Sequence, residues 1–160
     1  MIRKKRRREG KTDYKARLAM LKSGEKRVVF RKTNRYIIGQ VVESGEGAKD
    51  KVIDQVNSKK LLDYGWPESS KGSLKSITAA YLTGYLLAKI TKAKKGILDI
   101  GLVRNVKKNR AYSFLKGVID GGIKINAGKD MFPDEKRLKG EHLKNKVEFD
   151  KIKQKIDKEE

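Results

Sequence analysis

Most of the side chains in this sequence that could bind a ligand through charge are basic, and they are concentrated near its beginning. The chain of 160 residues carries a formal net charge of +21, with 41 lysines and arginines against 20 acidic residues. Residues 1–36 alone hold 15 of the basic residues and only 3 of the acidic ones. Lysine and arginine neutralise phosphates and release counterions, and arginine also stacks on bases. This composition predicts binding of a polyanion, and nucleic acid is the commonest such partner.

Three basic segments carry the candidate contacts that the residues themselves suggest. Arg3–Arg8 is a run of basic residues whose mutual repulsion predicts an arm without fixed structure, which phosphates would order unless it is only a solubilising or localisation tail. A predicted hairpin carries Arg27, Arg31, Asn34, Arg35, Tyr36 and Gln40. We interpret this hairpin as an RNA-facing surface rather than a merely solvated sheet face. The third segment is a loop with Arg104, Asn105, Lys107, Lys108 and Arg110.

The sequence offers little from which to build an active site. It has no cysteine and one histidine, His142, so a cysteine-based zinc site and a histidine-rich metal site are both excluded. A two-metal nuclease site needs several carboxylates on core strands. Asp99 lies in a clear core strand, and Asp54 and Asp120 are the other candidates near the sheet, although a core aspartate beside a glycine turn is more often a hydrogen-bonded structural group. We therefore predict no enzyme activity, no metal and no cofactor.

The sequence also limits which cellular compartment and which classes of partner are expected. The basic N-terminal run is not followed by an apolar segment, so no signal peptide is predicted. The most apolar window, Ile77–Ile90, is too short to span a bilayer. A membrane-surface role would require a basic amphipathic helix, and the arm lacks apolar anchors. We expect a cytoplasmic protein with no membrane partner and no small-molecule substrate.

Hydrophobic periodicity supplies the elements that must position these basic residues. Short apolar or alternating runs predict four strands: Arg27–Arg31, Tyr36–Val42, Lys51–Val56 and Ile97–Ile100, the last as a buried central strand. Helical spacing predicts a helix through about Lys22 that Thr12 and Asp13 can cap, a helix over about Leu74–Lys92 with Ser73 as its cap, and a helix from Arg110 that Gly121-Gly122 ends. The result is an α/β fold in which the loop that begins at Arg104 follows the carboxyl end of a strand, where ligands tend to bind.

The C-terminal region has a different, mixed charge. Asp134 is predicted to cap a helix over Glu135–Gly140, and a terminal helix carries a thin apolar stripe of Leu143, Val147, Phe149, Ile152 and Ile156. That stripe could dock on the core of the chain or on a neighbour. We predict three units: a basic arm and helix over 1–24, an α/β RNA-binding domain over 25–133, and a helical extension over 134–160.

Several ordered segments together resemble one family. The stretches RRREGKTDYKARLAMLKSG, RVVFRKTNRYIIGQVV, AAYLTGYLLAK, ILDIGL and PDEKRLKGEHL are similar to universal large-subunit ribosomal protein eighteen of the archaeal and eukaryotic type. The resemblance runs from about Arg3 to Leu143. It implies a three-layer α/β domain with a mixed sheet, similar to the ribonuclease-H-like topology of translation components. It also implies a non-enzymatic role on the ribosome, which is to bind 5S rRNA and attach it to the large-subunit rRNA in the central protuberance.

The resemblance also implies which residues meet RNA. The arm and the helix after it would thread among rRNA segments through Arg3, Lys4, Lys5, Arg6, Arg7, Arg8, Lys11, Thr12, Tyr14 and Arg17. The hairpin would meet 5S rRNA through Arg27, Arg31, Lys32, Asn34, Arg35, Tyr36 and Gln40. The loop of Arg104, Asn105, Lys107, Lys108 and Arg110 is added from its own chemistry and not from the resemblance. Lys71, in a small flexible loop, is also a candidate contact.

The partners expected from this resemblance are 5S rRNA, large-subunit rRNA and neighbouring large-subunit proteins, including the other 5S-binding protein. Two other classes of function remain as alternatives. A free-standing nucleic-acid module, such as an RNA chaperone, would depend on salt in the same way without preferring 5S rRNA. A ribonuclease-H-like nuclease would cleave nucleic acid with a metal, and the shortage of carboxylates argues against it.

Overall fold

A computed structural model of the chain describes residues 5–45, 49–141 and 147–158. Its four strands are β1 (Arg27–Lys32), β2 (Ile37–Ser44), β3 (Asp50–Asn57) and β4 (Ile97–Asp99). They form one sheet in the order β3-β2-β1-β4, in which β2 is antiparallel to both neighbours and β4 is parallel to β1. This mixed sheet confirms the predicted α/β fold class and fits the ribonuclease-H-like topology that the resemblance implied.

Helices cover both faces of the sheet. The described α-helices are α1 (Lys5–Arg8), α2 (Tyr14–Lys22), α3 (Ile77–Ile90), α4 (Arg110–Asp120), α5 (Glu135–Lys139) and α6 (Phe149–Asp157). Short 3₁₀ turns lie at Ser58–Leu62, Glu68–Ser73 and Lys129–Met131. Helices α3 and α4 pack on one face, which we call the helix face, and α2 lies over the other, which we call the arm face. The molecule thus has three layers.

Alternation along β1 and β2 decides which side chains enter the core. Val28 and Phe30 point towards the helix face and are almost fully buried. Phe30 pairs with Gly39 of β2, and a Cβ at Gly39 would stand 2.7 Å from the Phe114 ring. The Phe30 and Phe114 rings are 5.4 Å apart between centroids. The missing side chain at Gly39 therefore makes the space into which α4 inserts its aromatic ring.

Helices α3 and α4 approach so closely that their backbones touch. A Cβ placed on Gly84 would lie 2.2 Å from the carbonyl oxygen of Phe114, and one on Gly117 would lie 2.0 Å from the carbonyl oxygen of Tyr81. Neither distance leaves room for any side chain. Helix α3 is buried on all sides between Thr78 and Ala88, as expected of a helix that is apolar all round.

The C-terminal helix α6 docks on the core of its own chain, which decides between the two alternatives that the sequence left open. Phe149, Ile152 and Ile156 are all buried. The Phe149 ring lies 5.3 Å from the Tyr81 ring between centroids, and the Tyr85 hydroxyl donates a hydrogen bond of 2.6 Å to Asp157. Leu143, which belongs to the predicted stripe, lies outside the described residues. The division of the chain into three units stays a prediction.

The start of one helix and the capping of another differ from what the sequence predicted. Helix α3 begins at Ile77 rather than Leu74, because the side chain of Ser76 accepts a hydrogen bond of 3.2 Å from the Ala79 amide and so caps it in place of Ser73. Asp134 precedes α5 as predicted but makes no capping hydrogen bond through its side chain. Its carboxylate instead accepts a hydrogen bond of 2.9 Å from Lys108.

The expected position of β4 in the sheet was wrong. Ile97–Asp99 is an edge strand beside β1 and not a central strand. Its other side is met only by an isolated bridge from Lys95 to Lys124 among the residues that the structure describes. Its apolar residues Ile97 and Leu98 are half-buried, and Asp99 is its buried residue. A short apolar run therefore does not decide whether a strand is central or at the edge of a sheet.

Candidate nucleic-acid interface

An open groove of about 590 Å³ lies on the arm face, between α2 and the carboxyl ends of β1 and β4. We call it the arm groove. Six of the predicted contact residues line it: Arg6, Lys11, Thr12, Arg17, Arg31 and Lys32. They come from three separate segments, namely the arm, helix α2 and the end of β1. The groove therefore collects positive charge at the sheet edge where ligands of open α/β sheets tend to bind.

The arm reaches the groove because it folds back on itself. The sequence predicted no fixed structure here, but Lys5–Arg8 forms one helical turn, and Gly10 continues the chain with a left-handed φ of 62°. Arg6 Nε then donates a hydrogen bond of 2.9 Å to the Thr12 hydroxyl. Asp13 caps α2, as predicted, by accepting hydrogen bonds from the amides of Lys15 and Ala16. These local contacts compensate for part of the repulsion among the basic residues.

A chain of alternating arginines and aspartates, which we call the ion-pair relay, underlies the groove. Arg27 stands at its centre, with Nη2 2.7 Å from Asp50 and Nη1 3.1 Å from Asp99. The second oxygen of Asp50 lies 2.7 Å from Arg17 of α2. The second oxygen of Asp99 lies 3.5 Å from Arg31 of β1. The relay thus connects helix α2, three strands and both walls of the groove.

Arg27 is the predicted contact residue whose position differs most from expectation. The hairpin pattern predicted it on an exposed, RNA-facing surface together with Arg31. It is instead only 4% exposed, because α2 covers this part of the arm face and two carboxylates hold its guanidinium. Val29, on the same face, is also buried. The expected exposure of Arg27 is corrected, and we do not include this residue in the proposed contact surface.

The charge of Asp50 is maintained by its arginine neighbours. Burial alone would raise the pKa of this carboxyl, but hydrogen bonds from Arg27 and Ser44, together with the charges of Arg27 and Arg17, hold the pKa below its ordinary value of 3.8. Asp50 is therefore fully ionised at neutral pH. Its negative charge is shared between two guanidinium groups, so it leaves the groove positive.

Arg31 is the arginine best placed to reach a ligand in the groove. Its side chain is 45% exposed, and Nη1 donates a hydrogen bond of 2.9 Å to the carbonyl oxygen of Phe30. Gly101 makes this position possible, because a Cβ there would lie 2.8 Å from Nη1 and its φ is left-handed at +58°. Asp99 accepts a hydrogen bond of 2.8 Å from the Gly101 amide, which confirms the predicted structural role of Asp99.

The tip of the β1–β2 hairpin is a second exposed part of the predicted surface. Asn34 and Arg35 are exposed there, and Tyr36 is half-buried against the core. Lys75 donates a hydrogen bond of 2.9 Å from Nζ to the Asn34 carbonyl oxygen. This lysine was not among the predicted residues, and 41 residues separate the two partners, so no local sequence signal indicated the contact. Gln40 donates a hydrogen bond of 2.6 Å to the side chain of Gln55.

The remaining predicted residues lie outside the lining of the groove. Lys5, Arg7 and Arg8 are exposed on α1, Tyr14 is half-buried on α2, and Lys71 is exposed and forms an ion pair with Glu68. In the basic loop, Arg104, Asn105, Lys107, Lys108 and Arg110 are all exposed. Lys107 and Lys108 form ion pairs with Asp130 and Asp134. Arg3 and Lys4 lie outside the described residues.

Acidic side chains are dispersed rather than clustered. Asp120 accepts a hydrogen bond of 2.9 Å from the Tyr81 hydroxyl on the helix face, whereas Asp99 lies on the arm face. No three histidine or acidic residues within the described ranges could together hold a metal ion. The helices in those ranges are also too short or too polar to cross a bilayer.

Comparison with known proteins relates the chain to one family. The sequence model described as ribosomal large subunit proteins 60S L5 and 50S L18 matches residues 1–96. This range contains the arm, helix α2, strands β1 to β3 and helix α3. It therefore includes every segment that contributes a basic residue to the arm groove.

Similar relatives come from several archaea, and each is named large ribosomal subunit protein uL18. The protein of Korarchaeum cryptofilum is 51% identical over 145 residues, which cover 87% of this chain and 70% of the relative. The protein of Methanothermobacter thermautotrophicus is 40% identical over 143 residues, 87% of this chain and 71% of the relative. That of Methanococcoides burtonii is 40% identical over 162 residues, 95% of this chain and 91% of the relative.

Proposed function

The chain belongs to the family of large-subunit ribosomal proteins that includes 60S L5 and 50S L18, and we propose that within the subunit it binds 5S rRNA and attaches it to the large-subunit rRNA in the central protuberance. Membership of this family makes it a structural ribosomal protein rather than an enzyme. Its partners are accordingly rRNA and neighbouring ribosomal proteins.

The observation that carries the proposal is the convergence of basic residues on the arm groove. Arg6, Lys11, Arg17, Arg31 and Lys32 come from the arm, from α2 and from the end of β1, and they line one open depression. Asp50 and Asp99 near the groove are each held by two arginines. The carboxylate of Asp13, which also lines the groove, accepts hydrogen bonds from two amides of α2. A structured RNA would bring several phosphates to this depression at once.

Affinity and selectivity come from different parts of this surface. The flexible lysines supply affinity through counterion release, which is insensitive to sequence and weakens as salt rises. Arg17 and Arg31 are held by ion pairs with Asp50 and Asp99, and any arginine can pair with a phosphate through two hydrogen bonds or stack on an unpaired base. Structured RNA is recognised mainly through its shape, its 2′-hydroxyls and its exposed bases. Arg31 in the groove and Arg35 at the hairpin tip would therefore favour one folded RNA over another.

Competition binding at two salt concentrations tests the proposal. The full chain is bound to labelled 5S rRNA, and a tRNA or a scrambled duplex of similar length is added as competitor. We expect 5S rRNA to remain preferred at the higher salt, because fixed arginine contacts lose less affinity than diffuse charge does. Equal binding of all the RNAs, lost together as salt rises, would contradict the proposal. That result would support a free-standing polybasic RNA module such as an RNA chaperone.

A further inference from the structure

We propose that Asp50 and Asp99 are positioning residues of the arm groove, which are anchored by the buried Arg27 and hold Arg17 and Arg31 in the orientations that RNA requires. The inference rests on the proposed RNA-binding function and deepens it. According to this inference, two acidic residues assist the binding of RNA, although their negative charge alone would repel it.

The two halves of the ion-pair relay connect their residues in the same order, but Asp50 lies 2.7 Å from Arg17 whereas Asp99 lies 3.5 Å from Arg31. Each aspartate uses one carboxylate oxygen for Arg27 and the other for an arginine at the groove: Arg17 for Asp50 and Arg31 for Asp99. Arg27 fixes both carboxylates because it bridges them from a buried position between β3 and β4. A displacement at one end is thereby transmitted to the other wall of the groove.

Stability alone is a poor explanation for this arrangement. A buried ion pair often contributes no more to folding than apolar residues of the same size, because desolvation offsets its attraction. Arg27 is 4% exposed, and its Nε atom is buried without a hydrogen-bond partner, which adds a further cost. The relay instead fixes relative positions, because its ion pairs connect helix α2 with β1, β3 and β4.

Helix α2 in particular depends on such a link. None of its residues is buried, so no apolar stripe fixes it to the sheet. Leu18, its largest exposed apolar residue, is 54% exposed. The ion pair of 2.7 Å between Arg17 and Asp50 therefore sets where α2 lies. Since α2 follows directly after the arm, this ion pair also sets the position of Lys11 and Thr12 at the groove.

Removing the charge of Asp50 tests the inference, because the two explanations predict opposite changes in the affinity for 5S rRNA. If the aspartate acted only as a charge near RNA, Asp50→Asn would raise the affinity for 5S rRNA, because one repulsive charge would be lost. If it positions Arg17 and Arg27, the same variant weakens binding by roughly fivefold, the effect of losing one well-oriented charged hydrogen bond. Asp54→Asn is the matched control on the same strand, since Asp54 forms no ion pair among the described residues.

The experiment measures the affinity of the full chain for 5S rRNA in wild type, Asp50→Asn, Asp54→Asn, Arg17→Ala and the double variant of Asp50 and Arg17. We expect Asp50→Asn to weaken binding, Asp54→Asn to leave it unchanged or slightly tighter, and Asp50→Asn to have little further effect once Arg17 is absent. If Asp50→Asn only destabilised the fold, it would weaken RNA binding equally in the wild-type chain and in the Arg17→Ala variant. Urea unfolding of each variant measures such a loss of stability directly.

Affinity equal to or higher than wild type in Asp50→Asn would overturn the inference, as would an equal loss in the presence and absence of Arg17. These outcomes differ from failure of the proposed function. In that case the wild-type chain itself would show no preference for 5S rRNA over the competitor RNAs.

Discussion

The two faces of the sheet are stabilised in different ways. The helix face is closed by α3 and α4, whose backbones touch at Gly84 and Gly117 and whose side chains make an apolar core. The arm face is covered by α2, which buries no residue of its own and rests on the ion-pair relay. Close apolar packing resists change, because a core at this density tolerates neither cavities nor additional atoms. Ion pairs near solvent respond to salt and to competing anions.

This difference suggests that one face stabilises the fold and the other binds the ligand. The helix face supplies most of the free energy of folding, through apolar area removed from water. The arm face contributes less to folding and instead presents oriented cations beside an open groove. A polyanion can meet those cations without disturbing the core. Substitutions on the two faces should therefore separate unfolding from RNA binding.

The largest effect is expected from Phe114 on the helix face. Phe114→Ala should lower the free energy of unfolding by about 4 kcal/mol, because a fully buried ring is replaced by a cavity between α3, α4 and Gly39. Val52→Ala is the matched apolar truncation on the sheet edge, where Val52 is 47% exposed, and should cost less than about 1 kcal/mol. Urea unfolding measures both. Similar losses in the two variants would contradict the proposed difference between the regions.

A smaller effect on the helix face is expected at alkaline pH. Burial raises the pKa of Tyr81 above its ordinary value of 10.0, and its hydrogen bond to Asp120 raises it further. Above about pH 10 the unfolded chain releases this proton while the folded chain keeps it, so stability falls as pH rises, by up to about 1.4 kcal/mol per pH unit. Thermal unfolding from pH 9 to 11 measures the slope. Tyr81→Phe should reduce it, and an unchanged slope in that variant would exclude Tyr81 as its source.

Sequence alone predicted the parts of the molecule that are encoded by neighbouring residues. The β1–β2 hairpin, the Asp13 cap of α2 and the end of α4 at Gly121 each depend on residues within a few positions of one another. The sequence also indicated the basic segments that line the groove. Alternation along β1 places Val28 and Phe30 on the face opposite Arg27 and Arg31, and both are buried there.

What could not be predicted depends on contacts between distant residues. Arg27 and Asp99 are 72 residues apart, and Arg17 and Asp50 are 33 apart, so neither ion pair leaves a local pattern. The arginine at position 27 has the same type and strand periodicity as Arg31, and only the layer above the sheet determines that one is buried and the other exposed. The edge position of β4 likewise depends on its partners and not on its composition.

The measurement that most directly tests the arm groove as the RNA-binding surface compares Arg31→Ala with Lys94→Ala. Each variant removes one exposed positive charge, but Arg31 lines the arm groove and Lys94 lies outside its lining. Affinity for 5S rRNA and the free energy of unfolding are determined for both. We expect Arg31→Ala to lose about tenfold in affinity while its unfolding free energy changes by less than about 1 kcal/mol, and Lys94→Ala to lose much less affinity. Equal losses of affinity in the two variants would mean that the groove is not the RNA-binding surface.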